Sequence, residues 1–311
     1  MGIAFKGLLD GIMKKSTSHL QGEMDHTFEY DRGLKLVYRC YGDPDGSPAF
    51  YFHGWPGSRL EGELFNDLAK KNQCLLIAPE RPGYGHSTSS QHLPLKQWAD
   101  LIKGLANHLE LERFSVIGLS GGGPHACATM SCLPERILTG CLIVPMGPLH
   151  AKMGVKRMNP AQRLMAESTP LFPMLTQMAL RTLCPFAGYA PGLVISIMRH
   201  LLLPACDQRA LDTTGLQAVL VRNMAEALSG GAQGMYEDGL RFLEPWHKTL
   251  NAIQCPVKIW HGYDDNIVPI EFGKYLAKMI PNAESSWLPD EGHFSVPVGC
   301  AHECFEFLNR K

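Results

Sequence analysis

The sequence predicts an α/β chain, with a mostly parallel central sheet, helices on both faces and an inserted all-helical segment. Three observations predict it. Short apolar runs alternate with longer stretches whose apolar residues recur at helical spacing, both before residue 148 and after residue 250. Most of these runs end in loops rich in Gly, Pro and Asp. Between the two alternating parts the chain is rich in Leu, Met, Pro and Ala and shows no strand pattern. Strands that alternate with helices form sheets covered on both faces, because each crossover lays a helix against the sheet.

The elements follow in order. Thr27–Tyr30 and Leu34–Tyr41 read as an opening antiparallel pair that turns at Asp31-Arg32-Gly33. Ala49–Phe52 is an aromatic strand, and Leu60–Asn72 a helix. Cys74–Pro79 is an apolar strand, and Leu95–Leu109 has helical spacing. Phe114–Ile117 is a strand, a helix runs on to Cys132, and Ile137–Val144 is a strand. The insertion reads as several short helices broken near Pro170, Pro185, Pro191, Pro204 and Gly230, where helix interiors do not tolerate the residue. Val257–Trp260, Glu271–Met279, Ala283–Leu288 and Pro297–Asn309 then read as strand, helix, strand, helix. The organisation expected is an amphipathic N-terminal segment (1–25), a core of 26–147 and 251–311, and the helical insertion of 148–250.

At 311 residues and 45% hydrophobic, the chain is long and apolar enough for a sizeable core. Its net charge of -1 and the lack of any basic-plus-aromatic stretch argue against a nucleic-acid partner. None of its ten cysteines forms a C-x-x-C pair, so they read as small buried hydrophobes in a reducing compartment. Cys300 and Cys304 could share a helix face, but His302 falls off it, so no metal is expected there. No organic cofactor is expected either, since the glycine-rich run lacks the Lys-Ser/Thr of a P-loop. Lys6 and Asp10 interrupt the apolar N-terminus, which therefore does not read as a signal peptide. The nearest approach to a membrane span, Leu193–Leu203, is broken by Arg199 and His200. A cytoplasmic protein with no stable membrane insertion is the expectation, with a homodimer left open.

The chemistry centres on Gly118-Leu119-Ser120-Gly121-Gly122, between a strand and a helix. Glycines two before and two after the serine let the flanking backbones pass close together, which leaves the hydroxyl at the tip of a sharp turn. The positive end of the following helix points at the same place, and Pro124 suits its first turn. A bare G-x-S-x-G is common by chance, so its weight depends on the other motifs. These are His53-Gly54-Trp55-Pro56-Gly57, Arg81-Pro82-Gly83-Tyr84-Gly85-His86-Ser87, His261-Gly262-Tyr263-Asp264-Asp265 with Val268-Pro269, and Gly292-His293-Phe294.

In that order, and from about Phe28 to the C-terminus, the chain resembles the α/β-hydrolase superfamily. The resemblance implies the α/β-hydrolase fold, with residues 148–250 as its helical cap. It also implies a serine nucleophile, Ser120, followed in chain order by an acid and a histidine. His293 is then the general base. Asp265 is the acid, with Asp264 beside it as the residue most easily confused with it. Asp290 and Glu291 lie too close to His293 in sequence, and the stretch between Glu135 and Glu167 offers no acidic residue for the variant in which the acid follows the preceding strand. The oxyanion hole is expected from the N–H groups of Gly121 and, by resemblance, Trp55. His53 is expected to be structural, His86 and His261 to hydrogen-bond loops, and Arg59 and Arg81 to fix loops near Glu80. His125 and Met146 are candidates for the pocket wall, and a cap rich in methionine suits an acyl or aromatic group.

The function expected is a serine carboxylesterase acting on a small-molecule ester through an acyl-enzyme, without metal or cofactor. Ser120 argues against epoxide hydrolases and haloalkane dehalogenases, which the opening motif resembles but which use an aspartate nucleophile. Gly121, where prolyl aminopeptidases usually carry tryptophan, lowers that option. Lactonase, thioesterase and carbon–carbon hydrolase activities remain alternatives, as does a non-catalytic ligand receptor on the same fold.

Overall fold

The structure, a computed structural model, describes residues 24–310 except 32, 91–92, 150–153 and 214. The expectations for the N-terminal segment up to residue 23, for Arg32 in the first turn and for Met153 lie outside the described residues.

Eight strands form one sheet: β1 (Asp25–Asp31), β2 (Leu34–Gly42), β3 (Ser47–Phe52), β4 (Cys74–Pro79), β5 (Phe114–Leu119), β6 (Ile137–Ile143), β7 (Val257–Gly262) and β8 (Ala283–Leu288). Their spatial order is β1-β2-β4-β3-β5-β6-β7-β8. Only β2 runs antiparallel to its neighbours, and β3 to β8 pair in parallel. The helices are α1 (Asn66–Lys71), α2 (Leu95–His108), α3 (Gly123–Cys132), α4 (Pro160–Ser168), α5 (Pro173–Tyr189), α6 (Pro191–Leu201), α7 (Ala205–Thr213), α8 (Leu216–Ala227), α9 (Gln233–Phe242), α10 (Ile270–Met279) and α11 (Ser295–Leu308). Helices α4 to α9 all lie between β6 and β7, where the insertion was expected.

Successive residues of β3 go to opposite faces, as a strand's period of two requires. Phe50 and Phe52 join one core layer with Trp98 of α2, and Ala49 and Tyr51 join the other with Phe65 and Phe305. Phe52 and Trp98 meet edge to face at 5.2 Å. Truncating either fully buried ring to alanine is worth about 3–5 kcal/mol. The register then sets the site. Phe52 pairs with Gly118, so the loop after β3 starts beside the turn after β5. Ile143 pairs with both Leu119 and Trp260, which brings the carboxyl ends of β5, β6 and β7 to the same edge. Ligands of open parallel sheets bind at that edge.

Two expected helices differ in form. The stretch expected as one helix, Leu60–Asn72, is a 3-10 helix at Arg59–Phe65 followed by α1. Ser58 caps it through Leu60 N–H, and Gly62 leaves no room for a Cβ, which would sit 2.6 Å from the Tyr41 ring. Pro185 was expected to break a helix and instead lies inside α5. It falls in the last turns, where few intrahelical bonds follow it, and the break comes at Ala190, before Pro191 starts α6. Nine of the ten cysteines are buried and all are free. Cys300 and Cys304 point into the core, whereas the His302 side chain is exposed and faces Glu306.

Candidate active site

Ser120 follows β5 directly and has φ of 50°, in the left-handed region that non-glycine residues rarely enter. Such a conformation costs about 1–3 kcal/mol and persists only where its surroundings enforce it. Here they do. A Cβ on Gly118 would lie 2.9 Å from the carbonyl oxygen of Gly122, and one on Gly122 would lie 2.1 Å from that of Phe52. A Cβ on Gly121 would sit 2.5 Å from Trp55 Cβ and 3.2 Å from Trp55 N, so the Trp55 and Gly121 backbones are neighbours.

His293, in the loop between β8 and α11, hydrogen-bonds through Nδ1 to Asp265 Oδ2 at 2.8 Å. Asp265 is fixed in turn, because its Oδ1 accepts from the N–H groups of Ile267 (2.9 Å) and Val268 (2.7 Å). His261 donates from Nε2 to the carbonyl of Val268 at 2.8 Å and lies 3.3 Å from Asp265 Oδ2. Burial pushes the Asp265 carboxyl up, but the His293 charge and the hydrogen bonds from His261 and His293 outweigh it and hold the group well below the usual carboxylate range. Burial pulls His293 down, but the Asp265 charge and hydrogen bond outweigh it, so its pKa is raised above 6.5. Asp264 makes its backbone contact to the carbonyl of Glu291 and is not the carboxylate on His293. Ser120 and His293 line one cavity but are not hydrogen-bonded to each other. In substrate-free sites that bond is often open and tightens when substrate arrives.

The loop after β3 is held by buried charge. His53 Nε2 accepts from Arg81 N–H at 3.2 Å and its Nδ1 donates to the carbonyl of Gly54 at 2.9 Å, so this histidine is neutral and structural, as expected. Arg81 donates to the carbonyls of His53 (2.6 Å) and Gly54 (2.8 Å) and pairs with Asp238 of α9 at 2.8 Å. Arg59 bridges Glu80 and Glu226 of α8. Both arginines therefore fix loops. Trp55 Nε1 donates to the carbonyl of Met235, which ties the loop to α9.

His125 is a correction. Expected on the pocket wall, it is buried beneath it, with Nδ1 3.2 Å from the carbonyl of Gly121 and Nε2 3.4 Å from Asp238. Burial, then the nearby Arg81 charge, push it down to about 4 despite Asp238, so it stays neutral. Helix position +5 after the serine points toward α2, where Trp98 covers the ring edge to face at 5.3 Å. Met146 does line the site, and its N–H donates to the carbonyl of Ser120 at 2.9 Å.

Several site residues escaped the sequence reading. Buried Glu61 accepts from Gly54 N–H (2.6 Å), Tyr51 hydroxyl (2.9 Å) and Asn223 of α8 (3.2 Å), and faces the cavity. Asp207 of α7 accepts from the N–H groups of His293 (2.9 Å), Phe294 (2.8 Å) and Ser295 (2.8 Å), capping α11 from the insertion. Asp238 gathers Arg81, Arg241 and Tyr84. Two lobes of empty space, about 890 Å³ and 770 Å³ with the open solvent at their mouths included, meet at Trp55, Ser120, Met198 and Ile267. The first is lined by Glu61, Leu203, Asn223 and His293, and the second by Met146, Met158, Met165 and Phe242. Of the other methionines named from sequence, Met174 and Met178 point outward and are exposed.

Comparison with known proteins decides the family. Residues 50–306 match the model of the alpha/beta hydrolase family. The chain belongs to that family. This hydrolase is 24% identical over 269 residues to the bifunctional esterase/perhydrolase DCH of Acinetobacter calcoaceticus, covering 84% of this chain and 90% of that one. It is 25% identical over 291 residues to the non-heme chloroperoxidase CPO-A1 of Kitasatospora aureofaciens, covering 89% and 97%. Among solved structures, the hydrolase is similar to a thermophilic esterase from Thermogutta terrifontis, with TM-score 0.66, 22% identity and coverage of 93% and 98%.

Proposed function

We propose that this hydrolase cleaves carboxylic esters through an acyl-enzyme on Ser120. The observation that carries the reading is the 2.8 Å hydrogen bond from His293 to Asp265, with His293 and the strained Ser120 on the walls of one cavity. An alcohol is a weak nucleophile at neutral pH and needs a base that is itself oriented. With its Nδ1 proton held by Asp265, neutral His293 keeps the Nε2 lone pair to take the Ser120 proton as Oγ adds to the ester carbonyl. The oxyanion that forms is met by the N–H groups of Gly121 and Trp55. His293 then gives its proton to the departing alcohol. Water repeats the sequence on the acyl-enzyme and releases the acid. Lobes that meet at Ser120 suit an ester with apolar groups on both sides of the carbonyl.

A fluorophosphonate probe tests the proposal. Covalent labelling is expected on Ser120, absent in Ser120→Ala and His293→Ala, together with hydrolysis of p-nitrophenyl esters. A folded protein that neither labels nor hydrolyses any ester of the series, yet binds a small ligand tightly, is a receptor and overturns it.

A further inference from the structure

Helix α5 is apolar on both faces. Leu180, Cys184 and Ala187 pack inward against Leu228 and Ala232. On the outward side Met174, Leu175, Met178, Leu183, Phe186 and Tyr189 are exposed, Tyr189 to 92%. Helix α6 repeats the pattern. Ile195 and Met198 line the cavity, while Leu193, Ile197 and Leu201, spaced four apart, face out. Polar side chains on the pair are few, Thr176, Gln177, Arg181 and Thr182 on α5 and Ser196, Arg199 and His200 on α6, and an exposed apolar surface of this extent marks an interaction site. No single described helix is long and apolar enough to cross a membrane. The pair α5 and α6 reaches that apolar composition only together, across a bend of 101°, so the two helices suit lying on a bilayer rather than spanning it.

Charge selects the partner. Although the whole chain has net charge -1, Lys156, Arg157, Arg163, Arg181 and Arg199 outnumber the one carboxylate, Glu167, between Gly154 and Cys206. Arg157, Arg163 and Arg199 pair with Glu271, Glu167 and Asp212, which leaves Lys156 and Arg181 as the cations of this stretch with no carboxylate at ion-pair distance among the described residues. A second copy on this face would set like charge against like. So would cover by the segment before residue 24, where Lys6, Lys14 and Lys15 outnumber the acidic Asp10 and Glu23. An anionic bilayer complements both the apolar face and its basic surround. We propose that the outward faces of α5 and α6 dock on an anionic lipid surface, which sets α6, whose inner face lines the cavity, at the bilayer. This goes beyond the esterase reading and does not depend on it.

The test is co-sedimentation of the full chain with vesicles of phosphatidylcholine, alone or with about one-third phosphatidylserine. Binding is expected to the mixed vesicles, at least about fivefold weaker to phosphatidylcholine alone, and weaker in high salt. The triple variant Leu175→Ser/Phe186→Ser/Leu193→Ser is expected to lose the binding while melting at an unchanged temperature, because these side chains already stand in water. Ser120→Ala, which removes the proposed chemistry, is expected to bind as the parent does. No binding to the mixed vesicles overturns the proposal, as does equal binding by the triple variant. Loss of binding in Ile3→Ser/Phe5→Ser with the triple variant unaffected assigns the contact to the N-terminal segment and also overturns it. A dimer that the triple variant splits, with no vesicle binding by either protein, overturns it in favour of a second copy.

Discussion

At the scale of single residues the site depends on two opposed arrangements. Ser120 is held where its backbone is strained, and His293 where its charge is favoured. The first leads to a test by substitution. Ser120→Gly removes the penalty of the left-handed backbone, so the variant is expected to gain roughly 1 kcal/mol in denaturant unfolding while losing fluorophosphonate labelling. The second gives a pH dependence. In the proposed chemistry His293 must be neutral to accept the serine proton, and Asp265 raises its pKa against the lowering effect of burial. The acid limb of kcat/KM is therefore expected above the ordinary histidine value of about 6.5, with activity rising as pH increases through it. Asp265→Asn removes the negative charge and the preference for the Nδ1–H tautomer. A fall of about 10³–10⁴-fold in kcat/KM is expected, with the residual acid limb displaced to lower pH in a pH–rate profile.

At the scale of elements, the insertion divides into two kinds of helix. Helices α7, α8 and α9 reach into the core with polar groups, Asp207 to the His293 loop, Asn223 to Ser58 and Glu61, and Asp238 to Arg81. Helices α5 and α6 present apolar faces in both directions. Asp238→Ala would leave buried Arg81 without its carboxylate and Arg241 with Glu237 alone, and breaking such a pair from one side costs about 3–5 kcal/mol, readable as a lowered urea midpoint. Asp207→Ala leaves three N–H groups at the start of α11 without their acceptor. A loss of about 1–3 kcal/mol is expected, with a lower kcat on p-nitrophenyl esters as the His293 loop loosens. Asp207→Asn, which keeps one acceptor oxygen, should recover part of both. The legibility of these elements was uneven. Strands Cys74–Pro79 and Ala283–Leu288 were read to the residue, because an apolar or alternating run between turn residues is a local signal. The division of Leu60–Asn72 into 3-10 and α was not legible, since it depends on Ser58 and on the Tyr41 ring, which lies 21 positions before Gly62 in the chain and meets it only in the fold.

At the scale of the whole molecule, the sheet brings the ends of β3, β5 and β7 together and the insertion closes over them, leaving two lobes that meet at Ser120. In the proposed reaction the thioether-lined lobe, walled by Met146, Met158, Met165 and Phe242, takes the acyl chain. Turnover of p-nitrophenyl esters is expected to persist as the acyl chain lengthens. Met165→Trp, which fills that lobe, should cut activity on the longer esters about tenfold while sparing acetate, as measured by kcat/KM across the series.

The sequence by itself determined the alternation of strand and helix, the turn around Ser120, and the order of Ser120, Asp265 and His293 along the chain. Each of these is written locally, in periodicity, glycine spacing or a short motif at a strand end. Only the tertiary structure put the Asp265 carboxylate, named from its motif, on His293 Nδ1, turned His125 under the pocket instead of onto its wall, and brought Glu61, Asp207 and Asp238 to the site. Those outcomes depend on partners as far as 162 positions away, and no local pattern records which buried donor a carboxylate will meet once the chain has folded.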